Sequence, residues 1–182
     1  MKHIPNILTI LRLLACPLLI YLFYSKKHLA VLIIFLLACV TDFLDGYLAR
    51  KKNLKSNLGK ILDPIADKAL IITMCAMLII SENVQGINKL AFYIIILGEI
   101  IVTSLRFNLY IKKKSLDVSQ LSKYKTFIQM LAIGSILIHD IVINDWSIGK
   151  VVQVIAYSLT WFATFISIVT GIQHFKTYLK LK

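Results

Sequence analysis

Four aspartates could do chemistry together, because they form two pairs at helical spacing. Asp42 and Asp45 are three residues apart, and Asp63 and Asp67 are four apart. Residues three or four apart share a helix face, so each pair can direct two carboxylates towards one point. Four converging carboxylates repel one another, and a divalent cation relieves that repulsion. All-oxygen ligands suit Mg²⁺, Mn²⁺ or Ca²⁺ rather than zinc, so the sequence predicts one or two hard cations.

The residues beside the first pair favour a phosphate next to the metal. Gly46 has no side chain to block a close approach, Ala49 keeps the same face small, and Arg50 can pair with a phosphate oxygen. Two alternatives stay open at this point. The acids could be ordinary charges at helix ends, or they could form the acidic ring of a cation channel or transporter.

Long apolar segments must position these acids. The chain has 182 residues, of which 58% are hydrophobic, and its mean hydropathy is +0.78. These values are typical of an all-α integral membrane protein, and the length allows a single catalytic domain over residues 1–182. The hydropathy pattern predicts six transmembrane helices near residues 6–24, 29–49, 62–80, 90–110, 124–143 and 149–173.

The net charge of +12 comes mostly from short loops between the apolar segments. This distribution favours membrane topology and anionic substrates over nucleic acid. Lysines and arginines concentrate on the side that both termini share, which predicts cytosolic termini. Both aspartate pairs then lie near cytosolic ends of spans. The three cysteines are far apart in apolar stretches and show no spacing typical of a disulfide framework or metal site.

The aspartates and their neighbours together resemble the signature of the CDP-alcohol phosphatidyltransferases. The matching positions are Asp42, Asp45, Gly46, Ala49, Arg50, Gly59, Asp63 and Asp67. The resemblance implies the six-span CDP-alcohol phosphotransferase fold, a homodimer, and a multi-pass protein of the bacterial inner (cytoplasmic) membrane with a cytosolic active site. It also implies transfer of a phosphatidyl group from CDP-diacylglycerol to an alcohol, with release of CMP and a requirement for Mg²⁺ or Mn²⁺.

The resemblance also implies a role for each residue of the signature. The four aspartates would hold two metal ions, and Asp67 would be the general base for the acceptor hydroxyl. Contacts with CDP-diacylglycerol would come from Gly46, Ala49, Arg50 and Gly59.

Four further stretches resemble the members of that family that use sn-glycerol 3-phosphate as the acceptor. They read "IPNILTILRLLACP", "LGKILDPIADKAL", "GEIIVTSLRF" and "VSQLSKYKTFIQM". A small dianion needs several cationic contacts, and we expect the acceptor phosphate to bind Lys60, Arg106, Lys123 and Lys125. Gly98 and Phe107 depart from the family pattern, which usually has Arg and Glu there. These departures weaken the transfer of family roles to the fourth span and leave the aspartate signature untouched. A sister enzyme that uses serine or an inositol phosphate as the acceptor stays open as an alternative.

Other polar residues carry weaker expectations. Arg12 could contact the nucleotide or extend its charge to the membrane surface. Glu99 lies deep in the fourth span and should pair with a cation, either Arg106 or a cation from another span. Asp140 and Asp145 are expected to be solvated, and no role is assigned to the histidines.

Overall fold

The computed structural model describes the backbone of residues 4–52, 59–111, 120–143 and 145–181. Side chains are described for residues 10–43, 65–66, 68–109, 121–122, 124–143, 145 and 147–180. Within this part of the chain there are six α-helices and no strand. The helices are α1 (Ile4–Tyr24), α2 (His28–Lys52), α3 (Gly59–Ile80), α4 (Ile87–Ile111), α5 (Gln120–Val142) and α6 (Trp146–Leu181).

The all-helical membrane fold predicted from hydropathy is confirmed. Within the described residues, three helices contain a stretch that is long and apolar enough to cross a membrane: Ile87–Leu109, Tyr124–Val142 and Ser147–Lys180. Among the described side chains, the first three helices contain shorter apolar stretches, Ile10–Tyr24, His28–Phe43 and Lys68–Ile80. Helices are the form expected, because lipid offers no partner for backbone polar groups. The last helix is longer than predicted, since it continues past residue 173 to Leu181.

A tight turn folds α2 back along α1. The chain leaves α1 through Lys26 at φ 56°, and the backbone N–H of Lys27 donates to the carbonyl of Leu22 at 3.0 Å. This is the left-handed ending common at helix C-termini. Arg12 precedes the end of α1 by about 18 Å of helix, and Asp42 follows the start of α2 by about 21 Å. The hairpin therefore brings these two residues level with each other.

Residues Met1–Met77 form one compact unit. Within it, α1 packs against α2, and its buried apolar side chains include Leu19, Val31, Phe35, Leu70 and Met74.

Residues Leu78–Lys182 form the second compact unit. Here α6 packs against both α4 and α5. The approach of α4 to α6 is close at Gly98, where an added Cβ would lie 3.0 Å from Ser167 Oγ. Small residues at membrane helix interfaces permit such approach, so the departure from the family pattern at Gly98 has a packing reason.

The single-domain organisation over residues 1–182 stays a prediction.

The connections at one end of the second unit bury one aspartate and expose another. Asp140 is only 5% exposed and accepts a 3.0 Å hydrogen bond from Asn83 Nδ2. The expectation that Asp140 is solvated is therefore wrong, because Asn83, in the turn before α4, packs onto it. Asp145 is exposed as expected and caps α6, since its Oδ1 accepts from the backbone N–H groups of Ser147 at 3.2 Å and Ile148 at 3.1 Å. These hydrogen bonds, the one from Ile148 foremost, lower the pKa of Asp145 below its ordinary value.

Candidate active site

The backbone supports the predicted spacing of the four aspartates. Helix α2 is continuous through Asp42 and Asp45, and α3 is continuous through Asp63 and Asp67. Each pair therefore shares one face of its helix. Asp42 has a described side chain, whereas those of many other predicted site residues lie outside the described part of the chain. These are the side chains of Asp45, Ala49, Arg50, Lys60, Asp63, Asp67 and Lys123. Gly46 lies within α2, and Gly59 begins α3.

Asp42 is held by an arginine from the neighbouring helix. Arg12 Nη1 lies 2.8 Å from Asp42 Oδ1, and the two side chains are 1% and 25% exposed respectively. Arg12 is thus a buried member of an ion pair between α1 and α2. The expectation that its charge extends to the membrane surface is wrong.

Carboxylates on two helices suit a hard divalent cation. Among the residues with described side chains, no group of three or more His, Cys, Asp and Glu is placed to hold a metal ion. Three of the four predicted ligands fall outside that set. Asp42 is within it, and its carboxylate keeps a quarter of its side-chain surface exposed beside Arg12. A carboxylate offers about four acceptor positions, so one bond to arginine leaves room for a metal.

A second polar cluster lies in the other compact unit, which we call the α4–α5 cluster (Glu99, Arg106, Lys125 and Gln129). Lys125 Nζ lies 2.5 Å from Glu99 Oε1, and both side chains are buried. Gln129 Nε2 donates to the same carboxylate oxygen at 3.1 Å. The prediction that Glu99 pairs with a cation is confirmed, and of the two alternatives the structure shows a cation from another span, Lys125 of α5.

Arg106 completes this cluster with a different environment. It is intermediate in exposure, and its positive charge interacts electrostatically with the carboxylate of Glu99. Its Nε is buried and has no hydrogen-bond partner among the described residues. Buried charged donors are normally paired. The cluster therefore holds two cations, Arg106 and Lys125, and one carboxylate, Glu99.

Residues 2–169 match the model of the family described as CDP-alcohol phosphatidyltransferase. The chain belongs to the CDP-alcohol phosphatidyltransferase family. The resemblance carried by the aspartate signature is thereby confirmed, and this phosphatidyltransferase is an all-α membrane protein.

Similar proteins cover almost all of this phosphatidyltransferase. A protein from Rickettsia typhi (strain ATCC VR-144 / Wilmington) is 42% identical over 180 residues, which is 97% of each chain. A protein from Rickettsia prowazekii (strain Madrid E) is 41% identical over 96% of this chain and 94% of its own. A protein from Bacillus subtilis (strain 168) is 32% identical over the same shares of the two chains. All three bear the name CDP-diacylglycerol--glycerol-3-phosphate 3-phosphatidyltransferase.

Sequence reasoning missed one contact near the predicted acceptor residues of the phosphatidyltransferase. Ser122 Oγ and His174 Nε2 are 2.8 Å apart and buried. His174 of α6 thus contacts the first turn of α5 beside Lys123 and Lys125. The two partners are 52 positions apart, and nothing in the local sequence pairs them.

Proposed function

We propose that the chain transfers the phosphatidyl group of CDP-diacylglycerol to sn-glycerol 3-phosphate, giving phosphatidylglycerophosphate and CMP. The near full-length likeness to proteins that bear this activity in their names carries the proposal. Identity is 42% over 180 residues in the Rickettsia typhi protein, so the similarity is not confined to the aspartate signature. The chain is accordingly proposed to be a phosphatidylglycerophosphate synthase.

The donor side of the proposed site uses the aspartates of α2 and α3. Asp42, Asp45, Asp63 and Asp67 would hold two Mg²⁺ or Mn²⁺ ions, which when bound neutralise the pyrophosphate and stabilise charge on the departing CMP. The four predicted metal ligands support this proposal, because all are carboxylates and each pair is at helical spacing on a helix, α2 or α3.

The remaining signature residues would contact the nucleotide part of CDP-diacylglycerol. Gly46 and Gly59 would allow close approach to the helix backbone. Ala49 would keep the face narrow, and Arg50 would donate to a phosphate oxygen.

The acceptor side uses the α4–α5 cluster. Arg106 has a buried Nε without a hydrogen-bond partner among the described residues, and Lys125 is held in place by Glu99. A phosphate dianion would accept a hydrogen bond from Arg106 Nε. Its negative charge would also balance the cluster's positive charge, since Glu99 offsets only one of the two cations. Lys123 and Lys60 are proposed to complete the contacts with the acceptor phosphate.

The proposed chemical step is a direct displacement. The hydroxyl oxygen of glycerol 3-phosphate forms a bond to the phosphatidyl phosphorus, and the bond from that phosphorus to the oxygen of CMP breaks. Asp67 accepts the hydroxyl proton as a general base, which requires its carboxylate to lie within hydrogen-bond reach of the hydroxyl. CMP leaves with the bridging oxygen and its electron pair.

The proposed setting is the cytosolic side of a bacterial inner membrane, with the chain acting as a homodimer. The concentration of lysines and arginines on the side of both termini supports this orientation. A water-soluble acceptor such as glycerol 3-phosphate would reach Arg106 and Lys125 from that side.

A panel of acceptor alcohols tests the proposed function. Purified full-length protein in detergent, with Mn²⁺ or Mg²⁺ and CDP-diacylglycerol, is offered glycerol 3-phosphate, serine or inositol 1-phosphate. We expect CMP and a new phospholipid in equal amounts only with glycerol 3-phosphate. A phospholipid formed with serine or inositol phosphate alone would reassign the acceptor. No metal-dependent release of CMP with any alcohol would contradict the transfer itself.

A further inference from the structure

Arg12 is a deeply buried charged residue in contact with Asp42, a predicted ligand of the proposed metal site. Its residue is 2% exposed, and its Nη1 lies 2.8 Å from Asp42 Oδ1. The aspartate signature does not include Arg12, which lies 30 positions before Asp42 on another helix. The contact therefore needs a separate explanation.

The burial is unequal across this ion pair. The Arg12 side chain is 1% exposed, whereas the Asp42 side chain is 25% exposed. The guanidinium is thus closed off behind the carboxylate, and the carboxylate is the partner that meets solvent. A nucleotide approaching from the open side would reach Asp42 first.

The chemistry of the pair suits the support of a metal ligand. A guanidinium is a planar donor with a permanent charge, so it fixes the orientation of a carboxylate better than a lysine does. Groups that orient metal ligands in this way typically change metal affinity 10–100-fold when removed. A fixed cation beside Asp42 would also offset part of the repulsion among the four carboxylates of the proposed metal site.

We infer that Arg12 is a positioning residue for the metal site, acting through Asp42. The inference rests on the proposed role of Asp42 as a metal ligand. Arg12 holds one carboxylate oxygen, sets the orientation of Asp42, and itself contacts neither the metal nor the nucleotide. Its loss should therefore weaken metal binding without weakening the donor contacts.

Direct metal binding tests this role. Full-length protein in detergent containing CDP-diacylglycerol is titrated with Mn²⁺, and free Mn²⁺ is followed by its electron paramagnetic resonance signal. We expect Arg12→Gln to weaken Mn²⁺ binding by about 10–100-fold and Arg12→Lys to weaken it less. Lys27→Gln, which removes an exposed charge at the α1–α2 turn, should bind like the wild type. The KM for CDP-diacylglycerol at saturating Mn²⁺ should not change in the Arg12 variants.

Asp42→Asn separates failure of this inference from failure of the proposed site. If Asp42→Asn lowers Mn²⁺ affinity but Arg12→Gln binds like Lys27→Gln, the positioning role is wrong and the metal site stands. If Asp42→Asn binds Mn²⁺ like the wild type, Asp42 is not a ligand and both ideas fall.

The double variant and the conservative variant test whether Arg12 acts through Asp42, acts independently of it, or contacts the nucleotide. Adding Arg12→Gln to Asp42→Asn should weaken Mn²⁺ binding no further, because Arg12 acts through Asp42. If Arg12→Gln lowers Mn²⁺ affinity by the same factor in Asp42→Asn as in the wild type, Arg12 acts independently of Asp42. A raised donor KM with unchanged Mn²⁺ affinity would make Arg12 a nucleotide contact instead. Should Arg12→Gln fail to fold, Arg12→Lys decides by the same measurements.

Discussion

Two buried ion pairs between helices differ in which partner meets solvent. In Arg12–Asp42 the cation is 1% exposed and the carboxylate 25% exposed. In Lys125–Glu99 the two side chains are 6% and 5% exposed. The first pair thus presents a carboxylate, and the second is closed on both sides with Arg106 next to it.

The difference fits the two proposed sites. The exposed carboxylate of Asp42, held by Arg12, would belong to the proposed metal site. Lys125, paired with the buried Glu99, would belong to the proposed acceptor site together with Arg106. Burying a charge is unfavourable unless it is paired. The ion pairs therefore reduce the cost of burying Arg12 in one unit and Glu99 and Lys125 in the other.

The largest effect should come from the proposed base on the carboxylate side. We predict that Asp67→Asn lowers kcat by about 10²–10⁴-fold, the usual contribution of a positioned acid or base. Binding of CDP-diacylglycerol should largely remain, because the amide keeps the size of the side chain. Single-turnover rates and donor binding measured on the same preparation check this. A turnover near that of the wild type would remove Asp67 as the base.

The closed pair should show its effect in stability. Glu99→Gln leaves Lys125 buried without a carboxylate, so we expect a loss of about 3–5 kcal/mol in unfolding free energy. Combining it with Lys125→Met should recover most of that loss, since no unpaired charge remains. Denaturation in detergent measures both variants. If the double variant is as unstable as the sum of the single variants, the two residues are not coupled.

Arg106 should affect acceptor binding more than stability. Charged hydrogen bonds contribute about 1.5–3 kcal/mol, so Arg106→Gln should raise the KM for glycerol 3-phosphate by about 10–100-fold. Lys89→Gln is the matched control, because it removes a cation about 25 Å away at the other end of α4. Steady-state kinetics with varied acceptor make the comparison. Equal KM values in the two variants would take Arg106 out of the acceptor site.

The smallest effect should come from Asp145, which lies outside both pairs and caps α6. Asp145→Ala should lower the melting temperature slightly at neutral pH, whereas Asp145→Asn should not, because Asn caps equally well. The pKa of Asp145 is lowered in the fold, so its contribution is complete above the ordinary aspartate pKa and lost as the pH falls through the lowered value. The gap between wild type and Asp145→Ala should therefore close in acid. A pH-independent gap would point to lost packing instead.

Sequence alone predicts the helices of the described backbone well, because apolar stretches mark them and a helix satisfies its own backbone polar groups in lipid. The prediction that each aspartate pair shares a helix face depends only on nearby residues, and the backbone of α2 and α3 is helical at these positions. The far end of α6 is missed because residues beyond 173 become polar while the helix continues to Leu181.

Partner choice is what local pattern leaves open. The sequence leaves Glu99 a choice between Arg106, seven residues along its own helix, and a cation from another span. The structure shows an ion pair with Lys125 of α5. Asp140 looks solvated at the end of a span, but Asn83 from a distant turn covers it. Arg12 meets Asp42 because the turn after α1 sets the register of the hairpin. Each of these contacts depends on helix packing rather than on neighbouring residues.

A crossed titration tests the separation of the two proposed sites most directly. Activity of Arg12→Gln and Arg106→Gln is measured against Mn²⁺ at saturating glycerol 3-phosphate, and against glycerol 3-phosphate at saturating Mn²⁺. We predict that Arg12→Gln raises the Mn²⁺ requirement and leaves the acceptor KM unchanged, while Arg106→Gln does the reverse. If both variants shift both titrations alike, the two ion pairs do not serve separate metal and acceptor sites.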